Sequence, residues 1–196
     1  MDFLRIVIAA AIGYLLGSAN TSIIVGRFYG IDVRDHGSGN AGATNTLRTL
    51  GKSAAALVGV GDVLKGIIAC LVGSFIAGDI GLMVGGFASV LGHNWPIYFK
   101  FKGGKGIFTS FAVVLMMDYK IGLILLGIFA VVVLLTRFVS LSSVTASVFF
   151  PVLAVIFNKN INFIIIAILT AALAVFRHRS NLKRLIEGTE SKIGSK

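Results

Sequence analysis

The chain has 196 residues, 56% of them hydrophobic and only 13% charged, with a mean hydropathy of +0.93. A soluble domain of this length needs far more polar surface, so composition excludes one and points to an integral membrane protein. A single cysteine, Cys70, excludes a disulfide framework, and a net charge of +10 without a basic stripe in a soluble module favours anionic lipid or an anionic small substrate over nucleic acid.

Seven apolar segments follow in order, at about 3–27, 53–78, 80–99, 104–117, 121–136, 138–157 and 161–176. The first is apolar from Phe3 to Gly17, and no small-residue cleavage site followed by a soluble domain appears. It is read as a spanning helix rather than a removed signal peptide. A span needs about 20 residues at ~1.5 Å each. The second, third and sixth segments meet that length, while the fourth ("GIFTSFAVVLMM"), fifth and seventh are short. Flanks, packing or local thinning of the bilayer accommodate short helices; the alternative for the fourth is a half-span opening within a re-entrant loop. The expected fold is all-α, a polytopic membrane bundle of seven transmembrane helices (six as the alternative), in a single domain over 1–196.

Positive charge orients these segments. With the N-terminus outside, the inner face carries Arg27, Arg34, Arg48 and Lys52, then Lys100, Lys102 and Lys105, then Arg137, and finally Arg177, Arg179, Lys183, Arg184, Lys192 and Lys196. The outer face has only Arg5, Lys120 and Lys159. This is a positive-inside bias with a cytoplasmic C-terminus. The outer connections are tiny, and the inner ones are longer and rich in Gly, Asn, Ser and His. That asymmetry, with no evident internal repeat, disfavours an organic-phosphate transporter, the main alternative from another class.

The first inner stretch, "HGSGNAGATNTLR" (36–48), contains Gly37-x-Gly39-x-x-Gly42, the spacing of a dinucleotide-binding turn. Such a turn requires a buried strand before the glycines, a helix after them and an acid about 20 residues later. Here "GIDVRDH" precedes them, too short and too charged, and Asp62, at the right distance, lies in an apolar span. The spacing is coincidental. What remains is a loop whose backbone N–H groups can approach an anion, with Ser38, Asn40, Thr44 and Asn45 as neutral partners and Arg48 as a guanidinium. A polar interfacial loop capping the next helix explains the loop equally well when taken alone.

"LGHNWPIYFKFKGGKG" (91–106) sets Lys100, Lys102 and Lys105 around Gly103 and Gly104. It is not a P-loop: position 99 is Phe, and Gly106 stands where a magnesium-binding Ser or Thr would. An aromatic belt with snorkelling lysines accounts for Lys100 and Lys102. Lys105, between Gly104 and Gly106 at a helix start, fits an anion site better. In "RFVSLSS" (137–143), Ser142 and Ser143 either cap the sixth helix or bond a phosphate. In "RHRSNLKRLIEGTE" (177–190), the cations suit a lipid-surface anchor, while His178 and Asn181 share one face if the helix continues. Asp62 and Lys65, i and i+3 within a span, are expected to neutralise each other. Cys70 reads as a small buried side chain.

Together "GSGNAGATNTLR" (37–48), "GHNWPIYFKFKGGKG" (92–106), "RFVSLSS" and "RHRSNLKRLIEGTE" closely resemble the bacterial acyl-phosphate:glycerol-3-phosphate acyltransferases, in the family's order and over essentially the whole chain. The resemblance implies a seven-helix enzyme of the bacterial cytoplasmic membrane with its active site facing the cytoplasm. It would transfer a fatty acyl group from acyl phosphate to the 1-hydroxyl of glycerol 3-phosphate, giving lysophosphatidic acid and phosphate. It also implies that neither acyl-CoA nor acyl carrier protein is the donor. In agreement, the His-x-x-x-x-Asp motif of the other glycerol-phosphate acyltransferases is absent: Ala41, Tyr98 and Lys183 stand five residues after the three histidines. A soluble enzyme making acyl phosphate is the expected functional partner.

The chemistry needs positioning, oxyanion stabilisation and a base. Ser38, Asn40 and the Gly103, Gly104 and Gly106 backbone with Lys105 are assigned to acyl phosphate. Arg48, Thr44, Asn45, Ser142 and Ser143 are assigned to glycerol 3-phosphate, and His178 and Asn181 to the reacting centre. Lys105, Ser142, His178 and Asn181 form the expected catalytic set. Proton removal by a substrate phosphate is preferred to removal by His178, since no His–carboxylate pair is evident. No metal or cofactor is required, because the acids are scattered without ligand spacing. A monomer is expected.

Overall fold

The structure, a computed structural model, describes residues 3–194. Lys196, assigned above to the inner face, lies outside them. Among the described residues every regular element is helical, and the chain divides into two compact units, residues up to Met117 and residues from Asp118 onward.

In the first unit, the expected first segment is two helices, α1 (Phe3–Ser18) and α2 (Thr21–Phe28). The break falls at Asn20, whose side-chain oxygen caps α2 by accepting from the Ile23 N–H at 3.2 Å. A short helix α3 (Ala43–Leu50) follows, then α4 (Lys52–Asn94) and α5 (Ile107–Met117). A straight helix of 43 residues would reach ~65 Å, twice a bilayer core. Instead α4 breaks at Ala77 and at Gly78 (φ 58°), beside the Gly78–Asp79 boundary that the sequence predicts. Its two arms then fold back on each other, with the Gly73 and Gly81 backbones in contact.

Small residues make this packing possible. Added side chains at Gly13 and Gly17 of α1 would collide with the Gly85 and Ser89 backbones of the second α4 arm, and one at Gly92 with the Tyr14 carbonyl. The contacts advance together along both helices, so α1 and this arm run parallel. In lipid, helices associate through such close backbone approach rather than through hydrophobic burial. On the other side, α5 lies against α4, with Thr109 donating to the Asp62 carbonyl at 3.1 Å.

The second unit contains α6 (Tyr119–Thr136), α7 (Val139–Ile156), α8 (Ile161–Arg177) and α9 (Arg179–Ile186). Asp118 caps α6 through the Lys120 and Ile121 N–H groups, and Asn160 caps α8 through the Phe163 N–H. The α7 helix packs against both α6 and α8. Between α8 and α9 the chain bends by 57°, so the condition for His178 and Asn181 to share one face of a continuing helix is not met. Among the described residues, four helices are by length and composition long and apolar enough to cross a membrane, or five if the bent α8–α9 pair is one span. Their outer faces are apolar: Phe75 is 92% exposed and Leu135 80%. Such a surface suits lipid and not water.

Candidate active site

Two of the four motifs meet inside the first unit. Between a 3₁₀ turn at Val33–Asp35 and α3, the backbone passes through Gly37 (φ 61°) and Gly39 (φ 70°), left-handed values that favour glycine. Asn45, buried in the first turn of α3, holds this loop. Its Oδ1 accepts from the Ser38 N–H at 2.8 Å and the Ser38 hydroxyl at 3.2 Å, and its Nδ2 donates to the Val33 and His36 carbonyls at 2.8 and 3.0 Å. An amide has two donors and two acceptor positions, so Asn45 is fully engaged within the loop. Ser38 and Arg48 are exposed on it, and Asn40 and Thr44 are half-buried.

The 92–106 stretch turns sharply after α4. Lys100 and Phe101 take left-handed conformations, and the Phe101 N–H returns to the Pro96 carbonyl at 2.9 Å. Arg34 ties this turn to the first loop by donating to the Phe99 and Lys102 carbonyls at 3.1 and 3.2 Å while gripping Asp32 through Nε and a terminal nitrogen. Those Arg34 bonds hold the Asp32 carboxyl down to about 2, against the smaller opposing effect of burial. Arg27 stacks over the Phe99 ring at 5.1 Å. Lys100 and Lys102, both exposed, line an open groove of about 430 Å³ with Arg34, Asp32, Asp35, Gly39 and Gly103.

Gly103 and Gly104 sit where no side chain fits. A Cβ on Gly103 would strike the His93 carbonyl and Pro96; one on Gly104 would strike the Ala41 carbonyl and the His93 ring. The Gly104 N–H donates to the His93 carbonyl at 3.1 Å. Ala41 belongs to the first motif and Gly104 to the second, so the two glycine loops touch. Lys105, half-buried, leaves this junction just before α5. Gly106 (φ 73°) faces the fully buried amide of Asn94, whose side-chain nitrogen and oxygen have no protein partner. Beneath the junction, Lys65 and Asp62 form the expected ion pair at 2.8 Å, and the Lys65 ammonium also lies 2.8 Å from Nδ1 of His93.

The second unit carries the other two motifs. His178 is buried at the bend between α8 and α9, with Nδ1 2.8 Å from the Ala174 carbonyl. A carbonyl oxygen only accepts, so Nδ1 carries the proton, and a neutral His178 presents Nε2 as an acceptor. Ser142 and Ser143 do not cap their helix. They lie inside the first turn of α7, and their hydroxyls donate to the Phe138 and Val139 carbonyls four residues back, each at 2.8 Å.

Sequence reasoning missed the residue that organises this half. Glu190 accepts from Asn181 at 2.6 Å, from the Ser140 hydroxyl at 2.7 Å and from Arg184 at 2.7 Å. Burial pushes its carboxyl up, but these three donors outweigh it and hold the group below its ordinary value. Arg137 and Ile193 add a two-way link: the Ile193 N–H donates to the Arg137 carbonyl, and the Arg137 guanidinium donates to the Ile193 carbonyl. The tail after α9 is thereby strapped to the start of α7. The sequence signal for Glu190 was faint, the second of two acids at the end of a basic stretch.

Residues 7–188 match the family model described as glycerol-3-phosphate acyltransferase. The chain is 51% identical over 191 residues to a glycerol-3-phosphate acyltransferase of Thermoanaerobacter sp. (strain X514), covering 97% of this chain and 96% of that protein. It is 43% identical over 203 residues to the enzyme of that name from Clostridioides difficile (strain 630), covering 100% and 99%. Among solved structures it is similar to PlsY (YgiH), an integral membrane glycerol 3-phosphate acyltransferase, in its glycerol 3-phosphate form, with a TM-score of 0.91, 37% identity and 96% of each chain covered. The lysophosphatidic acid form matches with a TM-score of 0.89 and 36% identity, covering 96% and 95%.

Proposed function

The chain belongs to the glycerol-3-phosphate acyltransferase family and is an acyltransferase, and on that premise we propose that it acylates the 1-hydroxyl of glycerol 3-phosphate using acyl phosphate as donor. The products are lysophosphatidic acid and inorganic phosphate. One observation carries the reading: the contact of Ala41 with Gly104, which joins two glycine loops and delivers Lys105 to their junction. Backbone N–H groups with a single fixed cation suit a phosphate monoester or acyl phosphate.

In this reading Lys105, Ser38, Asn40 and the Gly103–Gly106 backbone bind the acyl phosphate. Lys105 neutralises the departing phosphate, and N–H groups of the turn other than that of Gly104, which donates to the His93 carbonyl, stabilise the tetrahedral oxyanion. Arg48 and Thr44 serve the glycerol-phosphate side, with Asn45 acting through the loop it holds. Ser142 and Ser143 join them only if their hydroxyls rotate away from the α7 carbonyls. Asn181, anchored by Glu190, and His178 position the acceptor. His178 Nε2 accepts a hydrogen bond from the attacking hydroxyl, but its Nδ1 partner is a carbonyl and not a carboxylate, so no full charge supports an imidazolium. A substrate phosphate oxygen therefore takes the proton. Acyl phosphate is a mixed anhydride, and attack at its carbonyl carbon expels phosphate without a protein nucleophile.

The resemblance covers essentially the whole chain, so 1–196 is taken as one catalytic domain, acting as a monomer. Counting α1–α2, the two α4 arms, α5, α6, α7 and α8 gives seven crossings. The positive-inside bias then sets the N-terminus outside and the motifs in the cytoplasm, in a bacterial inner membrane. A soluble enzyme supplies the acyl phosphate.

The test is product formation by purified protein given glycerol 3-phosphate with either palmitoyl phosphate or palmitoyl-CoA. The expected result is lysophosphatidic acid from the first donor only. Product from the CoA ester alone overturns the donor assignment, and no product from either overturns the reading.

A further inference from the structure

One side of α8 is an apolar stripe open to its surroundings. Ile161, Ile165, Ile168, Leu169 and Phe176 recur along it at helical spacing, each 44–66% exposed, while Phe163, Ala167 and Ala174 on the other side are buried. At 17 residues α8 is ~26 Å long, so a bilayer core of about 30 Å is nearly crossed where Phe176 stands. Arg179 follows at that boundary. Its guanidinium stacks over the Phe176 ring at 4.6 Å and donates to the Phe176 carbonyl at 3.1 Å. A cation is thus held at the end of the stripe that lipid chains cover, at the depth of lipid phosphates.

The 57° bend after α8 turns α9 over toward the plane of the membrane. On α9, Arg179, Lys183 and Ile186 stand at i, i+4 and i+7 and share one face. Asn181 is buried on the opposite side, and Arg184 is engaged by Glu190. The outer face therefore combines two cations with an isoleucine that is 89% exposed. Such a face suits neither water nor the bilayer core. It suits the boundary, where an apolar side chain enters the acyl region and cations meet phosphate. Glu187 approaches Lys183 to 3.8 Å with both side chains exposed, a pair too weak to keep the lysine from a lipid phosphate.

We propose that this face of α9 is a docking surface for anionic phospholipid headgroups: Ile186 and the Phe176 ring enter the acyl boundary, and Arg179 and Lys183 take the phosphates of lipids packed against α8. Basic composition alone suits any anion. The exposed Ile186, and the stacking of Arg179 on the lipid-facing stripe of α8, select a bilayer lipid over a soluble phosphate.

The test reconstitutes the full-length protein in nanodiscs of equal phosphatidylglycerol and phosphatidylcholine, releases it into detergent, and counts the lipids still bound by native mass spectrometry. One cation near an anionic surface is worth about fivefold in partitioning, so the parent is expected to retain phosphatidylglycerol at least about fivefold over phosphatidylcholine. Combining Arg179→Gln with Lys183→Gln should bring that ratio below about twofold. Lys120→Gln should keep the parent ratio, because Lys120 lies beside the Asp118–Lys159 pair, at the other end of α8. A parent ratio near one, an unchanged ratio in the double variant, or an equal fall in Lys120→Gln overturns the surface. If the double variant does not fold, Lys183→Gln alone is judged by the same ratio. Depth is read separately: Cys70 is buried, so a thiol-reactive bimane labels Ile186→Cys at position 186 alone. The dye is expected to be quenched by lipids carrying a nitroxide near the headgroup and shielded from acrylamide. Quenching by acrylamide without quenching by those lipids places the face in water and overturns the docking.

Discussion

Lys105 is carried by a turn held by the Gly104 N–H bond to the His93 carbonyl and packed at Gly106 against the Asn94 side chain. An ammonium fixed in this way is worth more than the exposed Lys100 and Lys102, which pay more ordering entropy and face water. Lys105→Ala is therefore expected to lower kcat/KM by about 10²–10³-fold, the range for loss of one preorganised charge-stabilising group. Lys100→Ala should change it less than about threefold, with both variants melting like the parent. Equal losses in the two would show that cationic charge near the membrane matters and its placement does not. If a substrate phosphate takes the proton, as proposed, His178→Ala should lose most activity yet still prefer glycerol 3-phosphate over glycerol. Loss of that preference would assign the base to His178.

Asp32 makes a pH prediction whose sign is fixed. Arg34 depresses its carboxyl to about 2 in the folded chain, so the pair's contribution is complete above the ordinary aspartate range of about 3.9 and is lost as pH falls toward 2. In thermal melts, the gap between the parent and Asp32→Asn should be constant from pH 5 to 7 and should close below about pH 4. A gap that persists at pH 2 would mean that Asp32 contributes by shape and not by charge.

At the scale of elements, the α1–α4 interface depends on residues without side chains. Gly17 approaches the Ser89 backbone so closely that any side chain displaces one helix. Gly17→Leu should lower the melting temperature in detergent by several degrees, as expected for overpacking of about 1–3 kcal/mol. Gly127, with open space where its Cβ would lie, should tolerate Ala without loss. An unaffected Gly17→Leu protein would mean that this interface contributes little.

Periodicity and length made the long helices legible: α6, α7 and α8 begin and end within two residues of the expected segments. The reversal in α4 was legible because Gly78 and Asp79 interrupt an apolar run. Three features were not. Asn20 breaks the first segment by capping α2, although one Asn in an apolar stretch carries no period. The bend at His178 arises where α8 ends, and a polar run with helical spacing gives no sign of a 57° turn. Glu190 was counted among scattered acids because its partners come from two places in the sequence, Ser140 in α7 and Asn181 and Arg184 in α9. Motif composition singled out candidate site residues, but only coordinates separate Asn45, committed to its own loop, from Ser38 and Arg48, exposed beside it.

For the whole molecule, family membership and an all-helical fold with apolar outer faces agree with the composition, which left no room for a soluble surface. The central claim is that acyl transfer and phosphate release are one event, triggered by the acceptor. The most direct measurement follows inorganic phosphate and lysophosphatidic acid together, in detergent, from palmitoyl phosphate with and without glycerol 3-phosphate. The account predicts one phosphate per lysophosphatidic acid throughout the time course and almost none without the acceptor. Phosphate released at the same rate without glycerol 3-phosphate, or lysophosphatidic acid formed without matching phosphate, would contradict it.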